Sequence, residues 1–212
     1  MSSEAHITGQ PCSKGVEDFR GVHEGKRVFV LASGPSLLDQ DLERLKNRLV
    51  IGMNRSFLNY PDTHYHCMMD QRLFDLYPEE TARARYVFTL KDRPAGIPLQ
   101  FLGSEGFSED LTEGIYSGYT VSYFALQLAV YMGFTQVIYL GLDLMHRQGN
   151  THFFGFDFHS RNHETDEFPN MRRMMSAGAA HAAKLGVEVL SCSPHGAPES
   201  IDSIGFDEAM AL

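Results

Sequence analysis

The chain has 212 residues, 43% of them hydrophobic and 21% charged, with a formal net charge of −9; a chain of that length buries one substantial core. The surplus of carboxylates excludes a large nucleic-acid face, because neutralising phosphates takes a basic one, so a phosphate-bearing ligand must be small and met by local donors. No apolar run reaches the roughly 18 residues that span a bilayer, and the start Met1-Ser-Ser-Glu-Ala-His lacks the basic-then-apolar build of a secretory signal, so a cytoplasmic protein is expected. Residues 1–25 carry no periodicity and are read as an N-terminal extension ahead of an α/β domain over 26–212. Arg27-Val-Phe-Val-Leu31 is an apolar run without alternation, the pattern of a strand covered on both faces, and it breaks into Ser33-Gly34-Pro35-Ser36. Leu37, Leu38, Leu42 and Leu45 then recur at helical spacing, and Leu49–Met53 reads as a second strand, which closes one βαβ unit. His64–Met69, ending at Asp70, and Arg85–Leu90 supply a third and a fourth strand; Pro94, Gly96 and Pro98 then punctuate the chain, and Gly103–Gly118 reads as a loop. Tyr119–Met132, closed by Gly133, is a buried helix; Gln136–Leu140 is a strand, Asn170–Leu185 a long helix closed by Gly186, and Val187–Leu190 the last strand. These elements predict helices on both faces of one mostly parallel sheet, with a long polar lid at about 145–168. Cys12, Cys67 and Cys192 are odd in number and widely spaced, which argues for plain thiols and against a disulfide framework or a cysteine zinc site.

In an open α/β sheet, ligands bind beyond the carboxyl ends of the strands. The turn Ser33-Gly34-Pro35-Ser36 occupies such an end, and its small residues offer amides and hydroxyls at a helix start that suits an anion, although it matches neither G-x-x-x-x-G-K-[ST] nor G-x-G-x-x-G. Asn54 ends the second strand, where its amide suits a ribose or base edge, or else serves the turn before Arg55-Ser56. Ser117-Gly118 precedes the buried helix, either as a second anion-friendly terminus or as an ordinary N-cap. Asp143 follows Leu140-Gly-Leu, where a carboxylate binds a ribose hydroxyl, orders a loop or joins a metal site, and Asp70 holds the matching place on the third strand. Met145–Phe168 collects His146, His152, His159 and His163 among Phe153, Phe154, Phe156, Phe158 and Phe168, a composition suited to a lid over a sugar or another flat ligand. The histidines contain one His-x3-His pair but no H-E-x-x-H, so no metal site is assigned. Arg55, Tyr116 and Arg147 are candidates for stabilising the charge of a leaving phosphate, against the ordinary reading of each as a surface or packing residue.

Val28–Ser36 followed by Val50-Ile-Gly-Met-Asn-Arg-Ser-Phe57 resembles the first nucleotide-binding motif of sialyltransferases, departing from it at Ser33, where many of those enzymes carry Asn. Ser117-Gly-Tyr-Thr120, the Ala-rich helix and Gln136–Asp143 resemble their second motif, and His152-Phe-Phe-Gly155 is similar to their short His-aromatic motif. Residues 117–144 are closer still to the motility-accessory-factor and 6-hydroxymethylpterin diphosphokinase-like group, and the resemblances together cover about half the chain. They imply a Rossmann-like domain that transfers a sugar from a nucleotide-activated, CMP-linked donor to a glycan or small-molecule acceptor. On that reading no cofactor is required and His152 is the general base, since an imidazole can take the acceptor proton near neutral pH. The pterin resemblance implies instead diphosphate transfer from ATP with Mg²⁺ on Asp70 and Asp143. A nucleotide- or sugar-binding module without catalysis is the third reading.

Overall fold

Strand β1, Arg27–Leu31, has every residue after the first buried, as its unbroken apolar run requires. It stands near the middle of a sheet in a computed structural model that describes residues 14–147, 149–155, 161–194 and 197–212, with 161–165 described by backbone alone. The other strands of this sheet are β2 (Val50–Met53), β3 (Tyr65–Met68), β4 (Val87–Leu90), β5 (Ile97–Leu99), β8 (Gln136–Leu140), β9 (Glu188–Ser191) and β10 (Asp202–Ser203), in the order β10-β9-β8-β1-β2-β3-β4-β5. Every pairing within it is parallel. A second, two-stranded parallel sheet joins β6 (Phe101–Gly103) to β7 (Ile115–Tyr116) inside the stretch read from sequence as a loop.

Alternate residues of β1 face two cores. Val28 and Val30 join a cluster with α3 (Val121–Tyr131) and with Met174, Met175, Ala179 and Ala182 of α4 (Arg161–Lys184). Phe29 and Leu31 meet Leu37, Leu42 and Leu45, together with Ala209 and Met210 of α5 (Phe206–Ala211). Helices α1 (Arg72–Leu76) and α2 (Pro78–Arg83) come after β3, and Leu73 and Phe74 close a third cluster with Met68 and Val87. α3 is apolar on most of its surface because every residue but Val121 and Val130 is buried, with Tyr123, Phe124 and Leu128 each at most 1% exposed.

Three further features differ from the sequence expectation. The leucine-rich stretch after Ser33 forms two short 3₁₀ helices, Pro35–Asp39 and Leu42–Leu45, and no α-helix. Gln40 between them is extended, and its side-chain amide donates to the Cys192 carbonyl at 3.2 Å, so tertiary bonds interrupt the helical pitch. α4 starts at Arg161 and carries Pro169 within it, so the last eight residues of the expected lid, 161–168, are helix. Residues 14–25, part of the aperiodic extension, include a 3₁₀ helix at Val16–Phe19. Phe19 packs edge-on against Tyr65, Tyr86 and Phe88, while the Gly21 and His23 amides donate to the Tyr131 and Met132 carbonyls. Among the described residues Cys67 and Cys192 are buried thiols, and burial pushes both thiols up, Cys192 to about 12; Cys12 lies outside the described residues.

Candidate functional site

The chain runs from β1 outward to β5, then returns beside β1 as β8 and builds outward the other way, so the strand order reverses between β1 and β8. In an open α/β sheet the crevice at that reversal is the natural ligand position. A cavity of about 440 Å³ opens there, within the range of small-molecule sites. It brings together Ser33 and Gly34 after β1, Asn54 after β2, Ser117 before α3, Asp143 after β8 and His152 of the lid.

Three hydrogen bonds lock the turn after β1 to the turn after β8. The Gly34 amide donates to the Gly141 carbonyl at 2.8 Å, and the Ser36 amide donates to Asp143 Oδ2 at 2.7 Å while its hydroxyl donates to Oδ1. Asp143 therefore orders a loop, one of the roles open to it from sequence, while one side of it still lines the cavity. The same bonds change the expected cradle. The Ser36 amide is engaged by Asp143, Pro35 and Ser36 do not line the cavity, and the 3₁₀ turn supplies no extended helix dipole.

The helix terminus that faces the cavity is that of α3. Ser117, Thr120, Val121 and Ser122 line it. Thr120 is the N-cap and accepts from the Ser122 amide, and the start of the helix is held to β8 by the buried Tyr139 hydroxyl, which donates to the Ser122 carbonyl at 2.8 Å. Burial pushes the Tyr139 hydroxyl well above the usual phenolic range, so it stays a donor. Gly118 lies behind this terminus at φ +52°, where a Cβ would strike the Tyr123 ring at 2.3 Å.

Asn54 carries the clearest mark of an unfilled role. Its Oδ1 is buried without a hydrogen-bond partner, and its backbone stands at φ +45°. Non-glycine residues rarely adopt that conformation. Among the described residues the positive-φ non-glycines are Asn47, Asn54, Tyr119 and Leu144, and all but Asn47 line the cavity. Strain concentrated at one cleft is a mark of function.

The lid is tied to the Gly34 turn by the Phe153 amide, which donates to the Ser33 carbonyl at 2.9 Å. Beside it, the His152 ring stacks on Phe154 at 4.7 Å, and the Arg55 guanidinium lies over the same Phe154 ring at 4.7 Å. Arg55 thus steadies the aromatic that His152 leans on and does not itself line the cavity. Tyr116 bonds through its main chain to Gln127, and Arg147 is exposed and paired with Asp39, so neither lines the cavity. Asp70 is held by Arg72 and lies outside the lining residues. Burial pushes its carboxyl up, but the hydrogen bonds and charge of Arg72 outweigh that and keep it below the usual range. His159 and the side chain of His163 lie outside the described residues.

The far wall is Tyr119 with Glu167, Phe168 and Met171 of α4; sequence reasoning placed Phe168 in the lid and missed the others. Phe168, Met171 and Met175 have the i, i+3, i+7 spacing of one helical face. Pro169 masked that pattern, because a proline reads as a helix boundary. Tyr119 reaches across to Glu105, its hydroxyl 3.1 Å from Oε1, and Arg173 of α4 pairs with the same carboxylate. Among the described lining residues there is no lysine or arginine, and the carboxylates are Asp143 and Glu167.

No family model matches the chain, and no curated protein matches it. Among solved structures it is similar to the MAf glycosyltransferase from Magnetospirillum magneticum AMB-1, with a TM-score of 0.52 and 15% identity over 91% of this chain. The chain spans 37% of that protein's length. It also matches the sialyltransferase CstII from Campylobacter jejuni, in complex with the substrate analogue cytidine-5'-monophosphate, at a TM-score of 0.48 and 12% identity over 85% of this chain and 88% of that one. The chain accordingly shares a Rossmann-type α/β fold with the first of these structures. Among the described residues no helix is long and apolar enough to cross a membrane.

Proposed function

We propose that this chain is a glycosyltransferase that moves a sugar from a CMP-linked donor to a hydroxyl of a glycan or small molecule, with His152 as general base. The observation that carries the reading is the cavity at the β1–β8 reversal, which gathers Ser33, Gly34, Asn54, Ser117, Asp143 and His152 from segments far apart in sequence. A fold shared with a glycosyltransferase structure supports the class. The sialyltransferase-like motifs around Gly34, Asn54, Ser117 and His152 support the donor.

The charge of the cavity favours a monophosphate ester. Its described lining offers no lysine or arginine against two carboxylates. A helix N-terminus supplies only about half a positive charge, enough to favour the single charge of a phosphodiester more than the two of a diphosphate. Ser117, Thr120 and Ser122 add hydroxyl groups at that terminus.

In the transfer, the acceptor oxygen bonds to the anomeric carbon as the bond from that carbon to the phosphate oxygen breaks. The electron pair of the broken bond leaves with CMP, and the acceptor proton passes to His152. The α3 terminus stabilises the charge that grows on the departing phosphate.

Calorimetry with CMP, UDP, GDP and ATP, each with and without Mg²⁺, tests the donor: CMP binds without metal and the diphosphates bind more weakly. His152→Ala keeps CMP affinity and loses about two to four orders of magnitude in transfer rate. Full transfer by His152→Ala removes the base assignment. A preference for ATP with Mg²⁺ overturns the donor.

A further inference from the structure

Asn54 stands in the left-handed region at φ +45°, a conformation uncommon for residues other than glycine, with neighbours bonded on both sides of it. The chain is led into it by Ser56, whose hydroxyl oxygen accepts the Met53 amide at 2.9 Å. On the far side stands His66 of β3, whose Nε2 lies 2.8 Å from the Asn54 carbonyl oxygen. A carbonyl only accepts, so Nε2 carries the proton and donates. The ring is 1% exposed, and burial pushes its pKa down to about 4, so it is neutral at working pH with Nδ1 left as a bare acceptor.

The sheet makes room for this ring. Gly52 is the register partner of His66, and a Cβ at Gly52 would lie 2.6 Å from His66 Nδ1. Phe57 packs against the ring at 5.4 Å between centroids. A bare glycine, a buried imidazole and a left-handed asparagine therefore form one connected unit that ends at an unpaired Oδ1 beside the cavity.

We propose that His66 is a positioning residue: its Nε2–H fixes the Asn54 carbonyl, and with it the left-handed turn that presents Asn54 Oδ1 to an N–H or O–H of the nucleotide. The inference rests on the nucleotide reading of the cavity. A residue of the hydrophobic core alone would not need a donor at this atom, and Phe or Met would fill the space without leaving a bare Nδ1.

The test measures CMP affinity by calorimetry for the wild type, Asn54→Ala, His66→Phe and His66→Gln, with the Asn54 backbone and side-chain amide signals followed by NMR in the ligand-free proteins. His66→Phe keeps a ring and removes the donor, and His66→Met replaces it if the phenylalanine variant does not fold. The expected result is about a tenfold loss of affinity in the donor-free variant, the value of one hydrogen bond, a similar loss in Asn54→Ala, partial rescue in His66→Gln, and displaced Asn54 signals without ligand. Unchanged affinity in the folded donor-free variant overturns the positioning role. If the wild type binds no nucleotide, the functional reading fails on its own, and the ligand-free spectra still decide: displaced Asn54 signals uphold positioning by His66, and unmoved ones overturn it.

Discussion

Gly34 shows how far a single residue can be read. Its place at the end of an apolar strand marks it from sequence as a point where a backbone must approach something closely, and a nucleotide is the natural guess. The structure supplies a nearer partner. A Cβ at Gly34 would lie 2.4 Å from the Gly141 carbonyl oxygen and 2.6 Å from Asp143 Oδ2. Its φ of −68° is open to any residue, so the constraint is space. A β-branched side chain there would break the junction of two turns before it met any ligand, which makes Gly34→Val a test of folding. Even Gly34→Ala is expected to cost about 1–3 kcal/mol, the usual penalty of overpacking against backbone, seen as a lower urea midpoint with an unchanged slope. An unaltered midpoint would mean that the two turns can separate freely. Asn54 was legible for a different reason, since a polar residue ending an apolar strand stands out locally, whereas the need of Gly34 for space comes from partners more than 100 residues away.

At the scale of elements, legibility followed the locality of the cause. Gln136–Leu140 has the expected bounds because five apolar-rich residues between turn signals leave little choice. The start of α4 and the 3₁₀ turns after Gly34 were misread because Pro169 and long-range bonds to Asp143 and Cys192 decide them. The far wall of the cavity was lost with the first of these errors. α3 holds a further example in Gln127, which is fully buried amid apolar neighbours. Its Oε1 accepts from the Ser108 and Tyr116 amides at 3.0 and 3.2 Å, and its Nε2 donates to the Tyr116 and Tyr123 carbonyls at 2.8 and 3.1 Å. One side chain thus pins the segment leading to Ser117. Gln127→Leu leaves buried backbone groups unpaired and is expected to cost roughly 2–5 kcal/mol, at 1–3 for each such group with partial relaxation. Hydrogen exchange at the Ser108 and Tyr116 amides should quicken in the variant; protection equal to the wild type would show that the segment is held by packing alone.

For the whole molecule, buried histidines set a response to acid. The folded pKa of His66, pushed by burial from 6.5 to about 4, lies below that of the unfolded chain. The unfolded state therefore binds the proton more readily, and stability that is full above pH 6.5 is lost as the pH falls from there towards 4. A gap of that size is worth about 3 kcal/mol at its full extent. His23 and His64 shift in the same direction, each mainly by burial, with Lys26 acting also on His23 and Arg85 on His64. Urea midpoints should drop between pH 7.5 and pH 5, and His66→Gln should flatten that drop. A wild-type midpoint that does not move over this range would show that the folded chain takes up these protons as easily as the unfolded one.

The pairing of β1 with β8 also has a temporal side. Arg27 and Gln136 are partners across a separation of 109 residues, whereas β1 meets β2 after a short excursion. Contacts between residues so distant in sequence are slow to form. During synthesis one edge of Val28–Leu31 has no neighbour until Leu140 has emerged, and an apolar strand with an open edge invites pairing with other chains. The cleft lies at this late-forming seam and takes its far wall from Glu167, Phe168 and Met171, which emerge later still, so competence to bind a ligand should come late in the making of the chain.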